Sequence, residues 1–388
     1  MLAMRKLMIA VLPAVVLAGC WDKAEMNELA IVSMVGADSD PETGMKTVYY
    51  QMINPLSGIS VQGAPSGDQA PVYTYEASGR SFGEIHTTIY KLLPRKLFVS
   101  HYRTLIVSER MAEEGLLDAV NMIEIQSNGR TSIPMLIAGD SLAQLMKTFT
   151  PLESVPADSV SSGLNMLGRN SLLVDRKTRV NNLIERMERS EAIVMPIVKL
   201  ISADSMTKSS DRISQIDANR SNLTSDGGAV IVNYRMVGKL DDEELVWYNL
   251  ANGGRGRHIK QFQVNGKSVT LEMRLKRMKR STEWREDRPV VTLDLEIEFL
   301  TNFATENMPK TYEEMKRLEN GLAQIVEDEI TSFYNKTKAK GWDLLRIRQA
   351  AEQNRKVRRH GADALKSAEL KVNVKSRIAH TANLSQPY

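Results

Sequence analysis

Cysteine is nearly missing from this chain: Cys20 is the single one in 388 residues. One thiol closes no internal disulfide and builds no thiolate metal site, so the body folds on its hydrophobic core alone. Histidine is scarce and scattered. His86, His101, His258, His360 and His380 form no His-x-x-x-His pair of the kind that grips a metal. Aromatic residues make up 6% of the chain, too few to suggest an aromatic-lined ligand cleft. No Gly-x-Ser-x-Gly elbow occurs. Gly266-Lys267-Ser268 has the tail of a phosphate-binding loop, but Gln261 stands where its first glycine belongs, and the segment lies between two strand patterns. It reads as a hairpin turn. Gly253-Gly254-Arg255-Gly256 could wrap an anion, but its ordinary reading is a plain loop after a helix. The net charge of +4 gives no nucleic-acid footprint. Nothing here assembles a catalytic centre, a cofactor site or a metal site.

What is present begins at the N-terminus. Arg5 and Lys6 precede an uncharged, apolar run from Leu7 to Gly19. As a helix that run spans about 20 Å, short of the ~30 Å of a bilayer core. It fits the apolar region of a cleavable secretory signal, residues 1–19. The run ends in Leu17-Ala18-Gly19-Cys20, which resembles the lipobox of bacterial lipoproteins. Cys20 is therefore the expected lipid attachment site, and the mature chain the expected product of cleavage before it. No later apolar run approaches ~18 residues, so the body is not a bundle of membrane-spanning helices.

The mature body is expected to be α+β and multi-domain, with mixed and antiparallel sheets flanked by helices. Residues 20–201 form an N-terminal α+β region of two sub-domains, 202–227 a Ser-, Asp- and Asn-rich linker, and 228–388 a C-terminal α+β domain. Strands are predicted at 29–35, 48–53, 72–76, 103–107, 131–138 and 192–201. Helices are predicted at 82–93, 111–126, 142–149, 157–167 and 176–189. In the C-terminal part, strict alternation of apolar and polar residues marks strands starting at Val269, Val291 and Leu370. One apolar face each predicts an antiparallel sheet with one wet side. That wet side carries Asp294, Glu296 and Glu298 on one strand and Arg274, Lys276, Lys371, Lys375 and Arg377 on the others. Cross-strand attraction predicts a basic neighbour for the acidic strand, as a hairpin of 269–278 with 290–299. Thr311-Tyr312-Glu313-Glu314 is a capping box. From it runs a stripe of Met315, Leu318, Leu322, Ile325, Ile330 and Phe333, a long helix suited to cover the dry side. The stretches 255–288 and 336–377 are basic, which reads either as a solvated face or as attraction to anionic lipid.

Three groups of residues also resemble a known family. Cys20-Trp21-Asp22, Glu25, Asn27-Glu28-Leu29-Ala30 and Val35-Gly36-Ala37-Asp38 are similar to the start of mature spore-germination receptor lipoproteins, the Ger(x)C family. His101 to Gly115, with Leu105-Ile106-Val107 and Met111-Ala112-Glu113-Glu114-Gly115, resembles that family's strand and helix start. Ala229-Val230-Ile231, Met236 to Leu240 and Glu243-Glu244 resemble the opening of its C-terminal domain.

The resemblance implies an accessory C subunit of a germinant receptor, not an enzyme and without cofactors. It implies a body of three domains, anchored by lipid at Cys20 to the outer face of the spore inner membrane. The implied partners are integral-membrane receptor subunits of A type and permease-like B type. Two other readings stand beside it: a solute-binding lipoprotein of a transporter, which needs two lobes about a cleft, and a surface hydrolase, for which no nucleophile is evident.

Overall fold

The computed structural model describes residues 25, 28–55, 70–125, 131–150, 153–175, 178–189, 191–201, 223–285, 288–301, 309, 311–353 and 361–379. The first half of the chain gives β1 (Leu29–Ser39), β2 (Lys46–Ile53), β3 (Val72–Gly79), α1 (Phe82–Leu92), β4 (Lys96–Phe98) and β5 (Thr104–Ser108). It continues with α2 (Glu109–Glu114), α3 (Leu117–Ile125), β6 (Met135–Ala138), α4 (Leu142–Lys147), α5 (Pro156–Asn170), α6 (Val180–Glu188) and β7 (Ile193–Leu200). The predicted helix over 111–126 is two helices. Gly115 breaks it at φ +149°, a conformation that only glycine adopts without strain.

These strands form one sheet in the order β3-β2-β1-β5-β6-β7, with β4 beside β1. The central strands β1, β5, β6 and β7 run parallel, and β2 and β3 run antiparallel at the edge. Parallel strands are reached by helical crossovers that cover both faces, which is why β5 and β6 are buried throughout and apolar at their centres. Alternate residues of a strand serve opposite cores. Val35, Leu105 and Val107 pack with Ile85, Ile89, Met111 and Leu183. Met34 and Ile106 pack on the other face with Leu142, Leu145, Met146 and Val160.

The sheet does not end at β7. Strand β8 (Leu223–Val232) pairs antiparallel with β7, and β9 (Arg235–Leu240) pairs antiparallel with β8. Residues 223–227, expected in the linker, are thus strand, and the expected boundary at 228 falls inside β8. The rest of that linker, 202–222, lies outside the described residues. The apolar run Ala229-Val230-Ile231 is buried on both faces, Ala229 and Ile231 in a core of the first sheet and Val230 in a core shared with the rest of the chain.

The remaining elements are α7 (Asp242–Ala251), β10 (Arg257–Val264), β11 (Lys267–Arg285), β12 (Arg288–Leu300), α8 (Tyr312–Ala339), α9 (Ile347–Gln353), α10 (Gly361–Ser367) and β13 (Glu369–Ala379). The second sheet runs β10-β11-β12-β13. The segment at Gly266 is a hairpin turn: Asn265 and Gly266 take φ of 52° and 76°, as a type I′ turn requires. β10, β11 and β12 are antiparallel, as the alternation predicts, whereas β13 is parallel to β12. The chain between β12 and β13 crosses through α8 to α10, and a strand that returns by such a crossover runs parallel.

The acidic strand β12 lies between basic neighbours. Arg274 faces Glu298 and Lys279 faces Asp294 across β11, while Lys375 faces Glu296 and Arg377 faces Glu298 across β13. Glu298 forms ion pairs with Arg274 and with Lys276, the latter at 3.4 Å. Partial burial raises its pKa, but the two cations outweigh that and hold its carboxyl below the ordinary range.

Helix α8 covers the dry face. Both halves of its capping box form at Thr311 and Glu314, and Leu318, Leu322, Val326, Ile330 and Phe333 are buried against the strands. The same helix closes the edge of β13. Val374 N donates to Glu327 Oε1 at 2.7 Å and Ile378 N to Glu319 Oε1 at 2.9 Å. These bonds satisfy backbone groups that would otherwise template pairing with another chain. Leu322 is fully buried under this helix, so Leu322→Ala should remove about 2–5 kcal/mol. The thermal midpoint of residues 21–388 is expected to fall, and an unchanged midpoint would contradict the packing described.

Candidate functional site

The residues that carry the sequence motifs turn out to hold the structure together. In Val35-Gly36-Ala37-Asp38, a Cβ at Gly36 would stand 2.9 Å from Met146 Cγ, so glycine lets α4 close on β1. Asp38 is buried and accepts two bonds from Arg110, Nε to Oδ1 at 2.7 Å and Nη2 to Oδ2 at 2.5 Å. This bidentate pair fixes the start of α2 over the end of β1. Leu105-Ile106-Val107 is the centre of β5, and Met111 and Ala112 are buried beneath α2. Gly238 lies under Trp342, whose ring would be 2.5 Å from a Cβ there. Asp241 and Glu244 form a complete capping box on α7.

The two sheets meet around α7, which is buried from Leu245 to Ala251, as a helix walled in on all sides must be. After it come Gly253, at φ +74°, and Gly254, whose N donates to Asn249 O at 2.6 Å. A Cβ on Gly256 would stand 2.2 Å from Ser171 O. The glycines are thus required for close passage of two segments. Asn249 Nδ2 donates to Leu172 O at 2.6 Å, and Asn252 Nδ2 to Leu344 O at 3.2 Å. Three stretches distant in sequence are tied at one point.

A shallow cleft of about 180 Å³ opens here, lined by Asp175, Asn249, Asn252, Arg255 and Arg346 among others. Ligand sites are usually ~300–1,000 Å³. Beneath it lies a buried ionic group that sequence reading missed. Arg186 sits 3.9 Å from Asp175 and donates to the Tyr248 hydroxyl at 3.4 Å. Glu191, nearly inaccessible, lies 3.9 Å from Arg346. Burial raises the Glu191 pKa, opposed by Arg346 and Arg186. Burial likewise raises that of Tyr248, with Asp175 adding to it, so the hydroxyl remains a proton donor. Asp343, fully buried, accepts from Ile347 N at 2.7 Å and Arg348 N at 2.8 Å. The arrangement joins segments and presents no nucleophile paired with a base.

Cys20 lies outside the described residues, as do His360 and His380. His86 stacks on Tyr90 with ring centroids 4.7 Å apart, His101 on Phe98 at 5.4 Å, and His258 is half-buried in β10. Among the described residues no group of three or more His, Cys, Asp or Glu could hold a metal. Nor is any helix among them long and apolar enough to cross a membrane.

Removing one member of a buried ion pair leaves the other uncompensated, at a typical cost of 3–5 kcal/mol. Arg186→Ala should therefore destabilise the chain by about 3 kcal/mol, read as a lower urea midpoint. A midpoint equal to the parent's would show that the Arg186 group does not hold the junction.

Comparison with known proteins bears on what this body does. Residues 22–200 match the family model described as spore germination protein N-terminal domain. Residues 226–382 match spore germination B3/GerAC like, C-terminal. Spore germination protein KC of Bacillus subtilis (strain 168) is 26% identical over 365 residues, 88% of this chain and 86% of the relative. The putative spore germination protein YfkR of the same organism is 24% identical over 240 residues, 62% of this chain and 59% of the relative. The crystal structure of the GerBC protein superposes with a TM-score of 0.54 at 14% identity, covering 89% of this chain and 96% of that one. At that identity the likeness speaks for the fold.

Proposed function

Because the chain belongs to the GerAC family of spore germination proteins, we propose that it is the lipid-anchored accessory C subunit of a germinant receptor. A role in spore germination follows from the family itself. The observation that carries the finer reading is the pair of family matches, which together run from residue 22 to 382. In this reading the protein is not an enzyme. It acts through contacts with integral-membrane A-type and permease-like B-type subunits, on the outer face of the spore inner membrane. The chemistry of the junction agrees: its buried charges are spent on joining segments, and its cleft is small for a solute site.

The anchor is a diacylglyceryl group on the Cys20 sulfur. One myristoyl chain binds membranes with K of only about 10⁴ M⁻¹, so stable attachment takes two signals. Two acyl chains on one cysteine meet that need without help from the fold. β1 starts nine residues after Cys20, so the tether is short.

Cys20→Ala is expected to shift the protein from the detergent to the aqueous phase in phase partitioning. It should abolish receptor function in spores at native expression, with the circular dichroism of the body unchanged. Wild-type protein found in the aqueous phase, or normal germination by the variant, would contradict the anchor.

A further inference from the structure

The end of the first sheet at which β1 starts gathers exposed apolar and basic side chains. Tyr73, Tyr90 and Leu92 are 46%, 42% and 51% exposed, large apolar side chains open to solvent. Tyr73 opens β3, which pairs with the end of β2, and Leu92 ends α1, which runs back along β3. The topology brings all three to the same end as Leu29, whose neighbour in register is Lys96 of β4.

Close to Tyr90 and Leu92 in the sequence are Lys91, Arg95 and Lys96, and none of the three makes an ion pair among the described residues. Several cations elsewhere in this half are paired, among them Lys46 with Asp118, Lys147 with Glu76, and Arg110 with Asp38. The acidic side chains of this end, Glu25 and Glu28, lie in the turn that leads into β1. Apolar and aromatic groups among unpaired cations form a surface that suits lipid headgroups, with ring and aliphatic carbons at the interface and ammonium or guanidinium on phosphate.

The tether points the same way. Eight residues separate Cys20 from Leu29, and the nine steps from one to the other cannot span more than about 32 Å. The first of those residues, Trp21, is a side chain that favours the membrane interface. The turn at Asp40–Thr43 lies at the far end of β1, about 34 Å further along at ~3.4 Å per residue.

We propose that this end of the first sheet, carrying Tyr90, Leu92, Lys91, Arg95 and Lys96, rests on an anionic bilayer and sets the orientation of the whole body above the membrane. The proposal rests on the lipid anchor at Cys20 and adds to it a fixed face.

The sole cysteine makes the test direct. Once Cys20 carries lipid, an introduced cysteine is the one free thiol, ready for an environment-sensitive nitrobenzoxadiazole label. Lipidated Leu92→Cys and Glu42→Cys proteins are reconstituted in phosphatidylglycerol–phosphatidylethanolamine vesicles containing doxyl-labelled lipid. After flotation, the label at 92 should emit to the blue and lose most of its intensity to the quencher, while that at 42 keeps the emission seen in water. Reversing Lys91, Arg95 and Lys96 to Glu should restore the emission at 92. Vesicles that float with protein while the label at 92 stays in water would overturn the orientation and leave this end for a protein partner. Failure to float would overturn the anchor, and the orientation with it.

Discussion

The structure turns on the antiparallel pairing of β7 with β8. Through it the C-terminal half of the chain donates two strands to the sheet built by the N-terminal half. The family matches end at 200, the last residue of β7, and resume at 226, inside β8. What looks in sequence like a boundary between domains is therefore the inside of a paired unit. The packing follows: Leu172, Ala192 and Val194 from the first half share one core with Val230, Leu245, Phe262 and Leu322 from the second. Trp342 on Gly238 and Asn249 on Leu172 tighten the same seam. The two halves so joined share one core.

The charges serve the same joining. Carboxylates cap α7 and α8, screen the edge of β13 and alternate with cations across β11, β12 and β13. The buried ones near α7 are matched by Arg186 and Arg346. Their perturbed proton affinities come from burial and pairing inside a junction, a common structural cause of such shifts.

Much of this was legible in the residues, and the reasons for success and failure differ. β11, β12 and β13 announce themselves by alternation, and α8 by a capping box and an apolar stripe, because a single buried face imposes its period on the sequence. The charge pattern even gave the neighbours of β12. Strand direction is not encoded in that pattern, so β13 was misjudged as antiparallel. The run Ala229-Val230-Ile231 reads as a buried strand in either sheet, and nothing local says which sheet it joins. The helix break at Gly115 was signalled by the glycine itself, yet the apolar spacing continues past it. The junction around Arg186, Glu191 and Arg346 was invisible, since its members are far apart in sequence and each looks like an ordinary surface charge. The Gly-Gly-Arg-Gly loop was its one visible trace.

The central claim, that the two family regions form one cooperative body through β7 and β8, is tested most directly by native-state hydrogen exchange of residues 21–388. The amides of β8 should exchange with the same free energy of opening as those of β7 and β5, and that energy should fall for all three together as urea is added. If the β8 amides open at lower free energy in step with β11 and β12, while β7 stays protected, the halves are independent domains and the account is wrong.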